Sequence, residues 1–451
     1  MIKRNLQEIQ EMVSGWGLAP EFADTVATGV QIDSRAIEAG NLYIPIIGAK
    51  VDGHTFAEGA FSQGAAATLW QEGISGAPAG QAVITVKNTE AALQHLATAY
   101  RNQLELKIVG ITGSNGKTST KDILSGILSA AFRVHKTEGN FNSEFGMPLT
   151  ILRAPKDTQV CVLEMGMRGL GQISLLSKIA RPDAAIITNI GEAHIEELGS
   201  RENISIAKFE ITDGLSEGGI FVYPGEEPLL MDKAKGLGLQ KYTFGESAKN
   251  DFYPMEMGIL EEGMSFKVPG YGADIHLPVL GKHNVMNTLA AIAVARHFGM
   301  PFEKIQEGLS TFQMSSMRME VTKAKNGLTL INDAYNSSPT SVKATLDLLG
   351  SLKGYQKKIA VLADMLELGE NSAAYHAEVG AMIDPSEVDV VFTYGPMANT
   401  YLAAASKVAD TRTFEDKAEL AKALSRLAGE GDIALVKGSR GMRLEDVVLS
   451  L

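Results

Sequence analysis

Gly110-Ile111-Thr112-Gly113-Ser114-Asn115-Gly116-Lys117-Thr118-Ser119-Thr120 decides how this chain folds. Upstream, residues 106–112 form an apolar run with the length of a buried strand, and downstream 117–130 reads as a helix. A glycine-rich turn between the two aims backbone N–H groups and the positive end of the helix dipole at one point, which suits a phosphate. Gly113, Ser114, Asn115, Gly116 and Ser119 then surround a nucleotide's phosphates, Lys117 reaches the β and γ phosphates, and the Thr118 hydroxyl sits on Mg²⁺. Strict Walker spacing would need glycine at position 111, where isoleucine stands, so the shorter Gly113-x-x-Gly116-Lys117-Thr118 form is the one present. The competing reading is an ordinary tight turn capped by a lysine. Strand, turn and helix standing in the order the motif needs favour the phosphate loop. No Gly-x-Gly-x-x-Gly follows the strand, which disfavours a dinucleotide.

Working outward, strands are expected at 160–165, 184–188 and 219–223, with helical stretches between them, and a helix at 285–298. Such alternation predicts a mostly parallel sheet covered on both faces. Residues 251–282, rich in glycine and short polar-apolar alternations, read as an antiparallel or irregular insertion. Toward the end, strands at 328–331, 358–362, 388–393 and 432–436 alternate with helices such as 341–349 and 374–382, spelling a second doubly wound unit. The first hundred residues carry short elements and glycine-rich turns, closing with a helix at 90–103. The expectation is an α/β protein of three domains: a small N-terminal α/β domain (1–100), a central P-loop domain with a mostly parallel sheet (101–314) and a C-terminal Rossmann-like domain (315–451). A length of 451 residues fits several cores better than one.

Composition narrows the function. With 53 acidic against 41 basic residues and no basic cluster, nucleic acid is a poor partner. The one cysteine, Cys161, lies in an apolar run and reads as a buried hydrophobe. No apolar stretch is long enough to span a bilayer and the first ten residues lack a signal-peptide core, so a cytoplasmic protein without membrane insertion is expected.

Other strand ends carry candidate chemistry. Glu164 closes the 160–163 run, where a carboxylate faces the ligand crevice and can hold Mg²⁺; a surface glutamate just past the strand is the alternative. His194 follows another strand end, as a second metal ligand or a structural histidine, with Thr188 and Asn189 nearer that end as substrate contacts. Lys208 on its own is a polar-face lysine. Asn287 presents its amide to adenine or caps a helix. Arg318, just past a domain boundary, can close onto the transferring phosphate. Asp333 can accept from ribose hydroxyls, while Lys437 and Arg440 stand where an anionic substrate could approach or form a basic surface turn.

As an ordered set, Thr112 to Thr118, Glu138-Gly139-Asn140-Phe141-Asn142-Ser143-Glu144-Phe145-Gly146, Glu164-Met165-Gly166-Met167-Arg168, Asp333-Ala334-Tyr335-Asn336, Asp364-Met365-Leu366-Glu367-Leu368-Gly369 and Lys437-Gly438-Ser439-Arg440 closely resemble the Mur ligases of peptidoglycan synthesis. The resemblance covers essentially the whole chain and is nearest to the members that add a dipeptide. It implies an ATP- and Mg²⁺-dependent ligase that activates the carboxylate of UDP-N-acetylmuramoyl-tripeptide as an acyl phosphate and joins it to D-alanyl-D-alanine, acting as a monomer. It also implies that the first domain holds the UDP moiety, with Ser34 and Arg35 as contacts. Catalytic roles fall by resemblance on Lys117, Glu164, His194, Lys208 and Arg318, and metal contacts on Thr118, Glu164, His194 and a Lys208 carbamylated at N6. Asn287, Arg318 and Asp333 take the ATP-handling roles, and Asn140, Asn142, Tyr335, Asn336, Lys437 and Arg440 are expected to face substrate. The ligase of the preceding step is the nearest alternative, but its Asp-Asn-Pro-Arg string is missing. Folylpolyglutamate synthase fits the large first domain less well. A non-enzymatic UDP-sugar sensor would have no use for an intact Lys117, Glu164, His194 and Lys208.

Overall fold

The computed structural model describes residues 1–405 and 407–451. Near the N-terminus, strands Val30–Gln31, Leu42–Tyr43, Ala67–Gln71 and Val83–Val86 form a four-stranded parallel sheet. An antiparallel pair, Lys3–Asn5 with Val26–Thr28, lies beside it. Helix Thr89–Asn102 leads onward; Asn88 caps it by accepting from Ala91 N. Its apolar stripe, Ala92, Leu93, Leu96, Ala97 and Tyr100, is fully buried. The helix packs on helices Leu6–Met12, Gly146–Arg153 and Gln172–Ala180, so one apolar core runs from Ile2 to Ala234.

The central sheet has six parallel strands in the order Gln240–Phe244, Ile220–Pro224, Ala184–Ile187, Lys107–Thr112, Val160–Glu164, Val134–Lys136. Chain order departs in both directions from Lys107–Thr112, so the crevice for a ligand opens at the carboxyl end of that strand. Its inner strands are apolar on both faces because helices cover both. The outermost pair, Val134–Lys136 and Gln240–Phe244, was not expected from the sequence: both are half-exposed edges without a continuous apolar run. Helix Lys282–His297 is buried almost all round, and its alanines bring it close against the phosphate-loop helix Lys117–Ser129. The expected insertion is a three-stranded antiparallel sheet, Met257–Leu260, Gly263–Phe266 and Ile275–Leu277.

The C-terminal sheet runs Glu320–Lys323, Thr329–Asp333, Ile433–Lys437, Lys358–Ala363, Val390–Tyr394, Asp410–Phe414. All its neighbours are parallel except the edge strand Glu320–Lys323, another element the sequence did not betray. Separate cores fill its two faces. Among the described residues, no helix is long and apolar enough to cross a membrane. The Cys161 thiol is buried, and desolvation pushes its pKa up to about 12, which keeps it protonated and inert.

Candidate active site

The phosphate loop is held from behind by the end of the neighbouring strand. Ser114 N donates to Asn189 O (3.2 Å), Asn115 N to Asn189 Oδ1 (2.9 Å), Gly191 N to Ser114 Oγ (2.9 Å) and Thr188 Oγ1 to Asn115 O (2.5 Å). Thr188 and Asn189 therefore brace the loop, besides lining the cavity in front of it. A Cβ at Gly113 would stand 1.8 Å from Thr188 Oγ1, so the loop and strand end approach as only glycine allows. Gly116 caps the following helix with φ of 80°, and a Cβ there would meet Asn287 Oδ1 at 2.6 Å. Lys117 curls back so that Nζ donates to Gly113 O (2.7 Å). Burial lowers its pKa, opposed by Glu164 and reinforced by Arg318.

Glu164 is 3% exposed at the end of its strand, which excludes the surface-glutamate alternative. Thr118 Oγ1 donates to Oε2 and Asn142 Nδ2 to Oε1, each at 2.8 Å, and the Glu164 N–H donates to Thr137 Oγ1 (3.0 Å). Among the described residues no cationic side chain pairs with this buried carboxylate. A carboxylate beside a hydroxyl on a cavity wall, with no cation of its own, is a donor set that fits a hard, oxygen-seeking dication.

Behind the loop, His194 Nδ1 lies 3.2 Å from a Glu367 carboxylate oxygen. With Glu197 these groups present three ligand atoms within 4.8 Å of one another. The neighbouring imidazole lowers the Glu367 pKa against the opposing effect of burial. Lys208, on helix Arg201–Phe209, is 1% exposed, which rules out the solvated polar-face reading. Burial drives its pKa well down and the charge of Lys117 drives it further; among the described residues no hydrogen bond offsets either effect.

Across the cavity stands the C-terminal unit. The Arg318 guanidinium lies 4.2 Å from the Tyr335 ring centroid, and its Nε is buried without a partner among the described residues. Met317 and Met319 flank it at φ of 58° and 53°, a left-handed conformation that is strained for methionine. Asp333 is the last residue of its strand and stands directly opposite Lys437 in the sheet register. Its Oδ2 accepts from Lys437 Nζ and its Oδ1 from Met319 N (3.2 Å), while Lys437 Nζ also donates to Asn336 O (3.1 Å). Asn287 lies inside helix Lys282–His297, whose cap is Gly281, so the capping alternative falls away. Its Nδ2 donates to Asn284 Oδ1 (3.2 Å) and its carboxamide faces Gly116.

In front of the phosphate loop lies a cavity of about 440 Å³. Its walls include Ser114 to Ser119, Asn142, Glu164, Thr188, Asn189 and Asn287 on one side and Arg318, Asp333, Tyr335, Asn336 and Lys437 on the other. Two hydrogen bonds clasp the sides: Ser338 Oγ to Asn115 Oδ1 (3.1 Å) and Thr340 Oγ1 to Glu192 Oε2 (2.6 Å). Ser34, Arg35, Gly113, Asn140, His194, Lys208 and Arg440 do not line it. Arg35 is solvent-exposed and paired with Asp33, Asn140 is exposed, and Arg440 pairs with Glu445.

Several groups at the site carried no sequence signal of their own. His283, one turn before Asn287, lines the cavity; desolvation outweighs the pull of Asp333 and, with Lys437, brings its pKa down to about 4. Glu226, Phe244 and Glu246 come from the edge of the central sheet. Glu367 lies in a quoted motif but had no assigned part.

A phosphate loop facing a buried carboxylate and an arginine from a second doubly wound unit defines a two-sided ATP site for phosphoryl transfer. The chain belongs to the Mur ligase family. Residues 26–101 match the Mur ligase family catalytic domain, 111–295 the Mur ligase middle domain, and 317–440 the Mur ligase glutamate ligase domain. The chain is similar to the UDP-N-acetylmuramoyl-tripeptide--D-alanyl-D-alanine ligase of Bacillus subtilis, 46% identical over 100% of this chain and 99% of that one. The Escherichia coli ligase of the same name is 31% identical, with 100% and 99% covered. Among solved structures, MurF from Acinetobacter baumannii superposes with a TM-score of 0.91 at 30% identity, covering 100% and 99%. MurF ligase from Thermotoga maritima in complex with ADP gives 0.84 at 29%, covering 94% and 97%.

Proposed function

We propose that this chain joins D-alanyl-D-alanine to UDP-N-acetylmuramoyl-tripeptide, consuming ATP and releasing ADP and phosphate. The observation that carries the reading is the cavity itself, with the phosphate loop on one wall and Arg318 on the other. Similarity along the full length to ligases of that name supports the substrates.

In this reading the tripeptide carboxylate attacks the γ-phosphorus and ADP departs, leaving an acyl phosphate. Lys117 and Arg318, on opposite sides, offset the charge on the transferring oxygens. Thr118 and Glu164 are the residues that would hold Mg²⁺, which would supply further charge neutralisation there. Asn142 and Thr137 keep Glu164 aimed at the cavity. The free amine of the dipeptide then attacks the acyl carbon, and collapse of the tetrahedral adduct expels phosphate and leaves an amide. The clasp of Ser338 and Thr340 on the loop side keeps water from the acyl phosphate. Lys208 fits carboxylation: burial favours its neutral amine, whose lone pair can add to carbon dioxide with loss of a proton.

The test is phosphate release with ATP, Mg²⁺ and UDP-N-acetylmuramoyl-tripeptide, with D-alanyl-D-alanine or single amino acids as acceptor. Dipeptide-dependent release with a product of the condensed mass supports the reading. Turnover instead with the UDP-muramoyl dipeptide and a diamino acid moves the protein to the preceding step. Peptide mass measurement under carbon dioxide reads Lys208; an unmodified lysine in fully active enzyme would refute its carboxylation.

A further inference from the structure

Asp122 sits in the second turn of the phosphate-loop helix with its side chain 1% exposed, and it does not touch the cavity. A carboxylate so buried must be fully engaged. Oδ1 faces Lys136 Nζ at 2.7 Å and Lys121 Nζ at 3.4 Å. Oδ2 accepts both the backbone N–H (3.0 Å) and the hydroxyl (2.7 Å) of Ser315. Ser315 lies in the segment that crosses from the central to the C-terminal unit, three residues before Arg318. One helical turn beyond Asp122, Gly126 admits Phe312: a Cβ at 126 would stand 2.1 Å from Phe312 Cβ. The crossing segment is thus fastened to one face of this helix at two points a turn apart.

The same polar cluster reaches the cavity floor. Lys121 Nζ donates to Thr137 O (3.0 Å), and the Thr137 hydroxyl accepts the Glu164 N–H. Downstream the path from Ser315 to Arg318 is stiff. Met317 N donates to Glu320 Oε2 (3.1 Å), Met319 N to Asp333 Oδ1, and both methionines are held in the left-handed region.

We propose that Asp122 is a positioning residue: by pinning Ser315 to the helix that carries Lys117, it sets Arg318 at the phosphates in register with the loop. The inference rests on the phosphoryl-transfer reading of the site. If the carboxylate merely stabilised the helix, its loss would lower stability without acting through Arg318.

A double-mutant cycle separates the two. Asp122→Asn is expected to lower kcat about tenfold with the KM for ATP changed less than about twofold; on an Arg318→Ala background it costs less than about a further twofold. Equal losses on both backgrounds, or an unchanged kcat, would overturn the proposal. Ser315→Ala runs in the same cycle if Asp122→Asn does not fold. Amide exchange in the full chain with ATP and Mg²⁺ gives a readout free of turnover. Asp122→Asn should speed exchange across 312–319 by about tenfold and leave the helix 117–129 protected. Unchanged exchange at 312–319 would refute the tether even if the wild-type enzyme showed no turnover, an outcome that strikes the functional reading alone.

Discussion

The two seams of this molecule are built from different materials. Between the N-terminal and central units the join is apolar: Leu6, Leu93, Leu96 and Tyr100 share a core with Ile108, Leu149 and Ile173. Between the central and C-terminal units it is polar: the tether of Ser315 to Asp122, the clasp of Ser338 on Asn115 and Thr340 on Glu192, the His194–Glu367 pair, and a cavity. From the central unit, among the described residues, only Leu280 with the half-buried Val279 and Ile195 joins a C-terminal core. A continuous core moves as one body, whereas a few hydrogen bonds of about 1 kcal/mol each can open and close within a catalytic cycle. The first seam makes a platform and the second a gate.

Mutations should affect the seams in opposite ways. Lys117→Ala, on the polar seam, is expected to lower kcat by at least about 10³-fold while shifting the melting temperature by no more than about 2 °C. Phosphate release and calorimetry measure the two, and near-normal turnover would remove Lys117 from the chemistry. Leu96→Ala, on the apolar seam, should cost about 2–5 kcal/mol in urea unfolding and leave kcat per folded molecule unchanged. A loss below about 1 kcal/mol would show that the shared core is not what joins the units. Thr340→Val should cost about 1 kcal/mol or less in stability and raise the KM for ATP or lower kcat by a few-fold. An effect on stability without one on turnover would break the contrast between platform and gate.

Acid should act on the gate as well. The His283 pKa is about 4 in the folded protein and near 6.5 when unfolded, so between those values the unfolded chain binds more protons. This contribution is fully present above about pH 6.5 and is lost as pH falls toward 4, at most about 3 kcal/mol. His283→Gln should flatten that part of the stability profile in melts from pH 7 to 4.5; an unaltered slope would mean the imidazole is already solvated.

The phosphate loop, the alternation of strand and helix and the strand-end position of Glu164 were all legible, because each is written in a few consecutive residues. Relationships across the sheet were not. Asp333 and Lys437 were each read as facing a ligand, yet the register of two adjacent parallel strands sets them opposite one another. Nothing local says that residues 104 apart will pair. Lys208 read as a solvated lysine until resemblance raised it, since helical spacing does not reveal which face turns inward. Edge strands such as Glu320–Lys323 escaped because an exposed strand has no continuous apolar run. Asp122 escaped for a related reason: its partner Ser315 is 193 residues away.

The apolar platform also has a consequence for how the chain is made. Ile2 N donates to Leu152 O at 2.7 Å, and the core beginning at Ile2 includes residues as late as Ala234. During synthesis at about 5–20 residues per second, the first strand waits on the order of ten seconds or more for its partners to leave the ribosome. The first hundred residues therefore emerge with one greasy flank exposed, so this stretch expressed alone should be prone to aggregation.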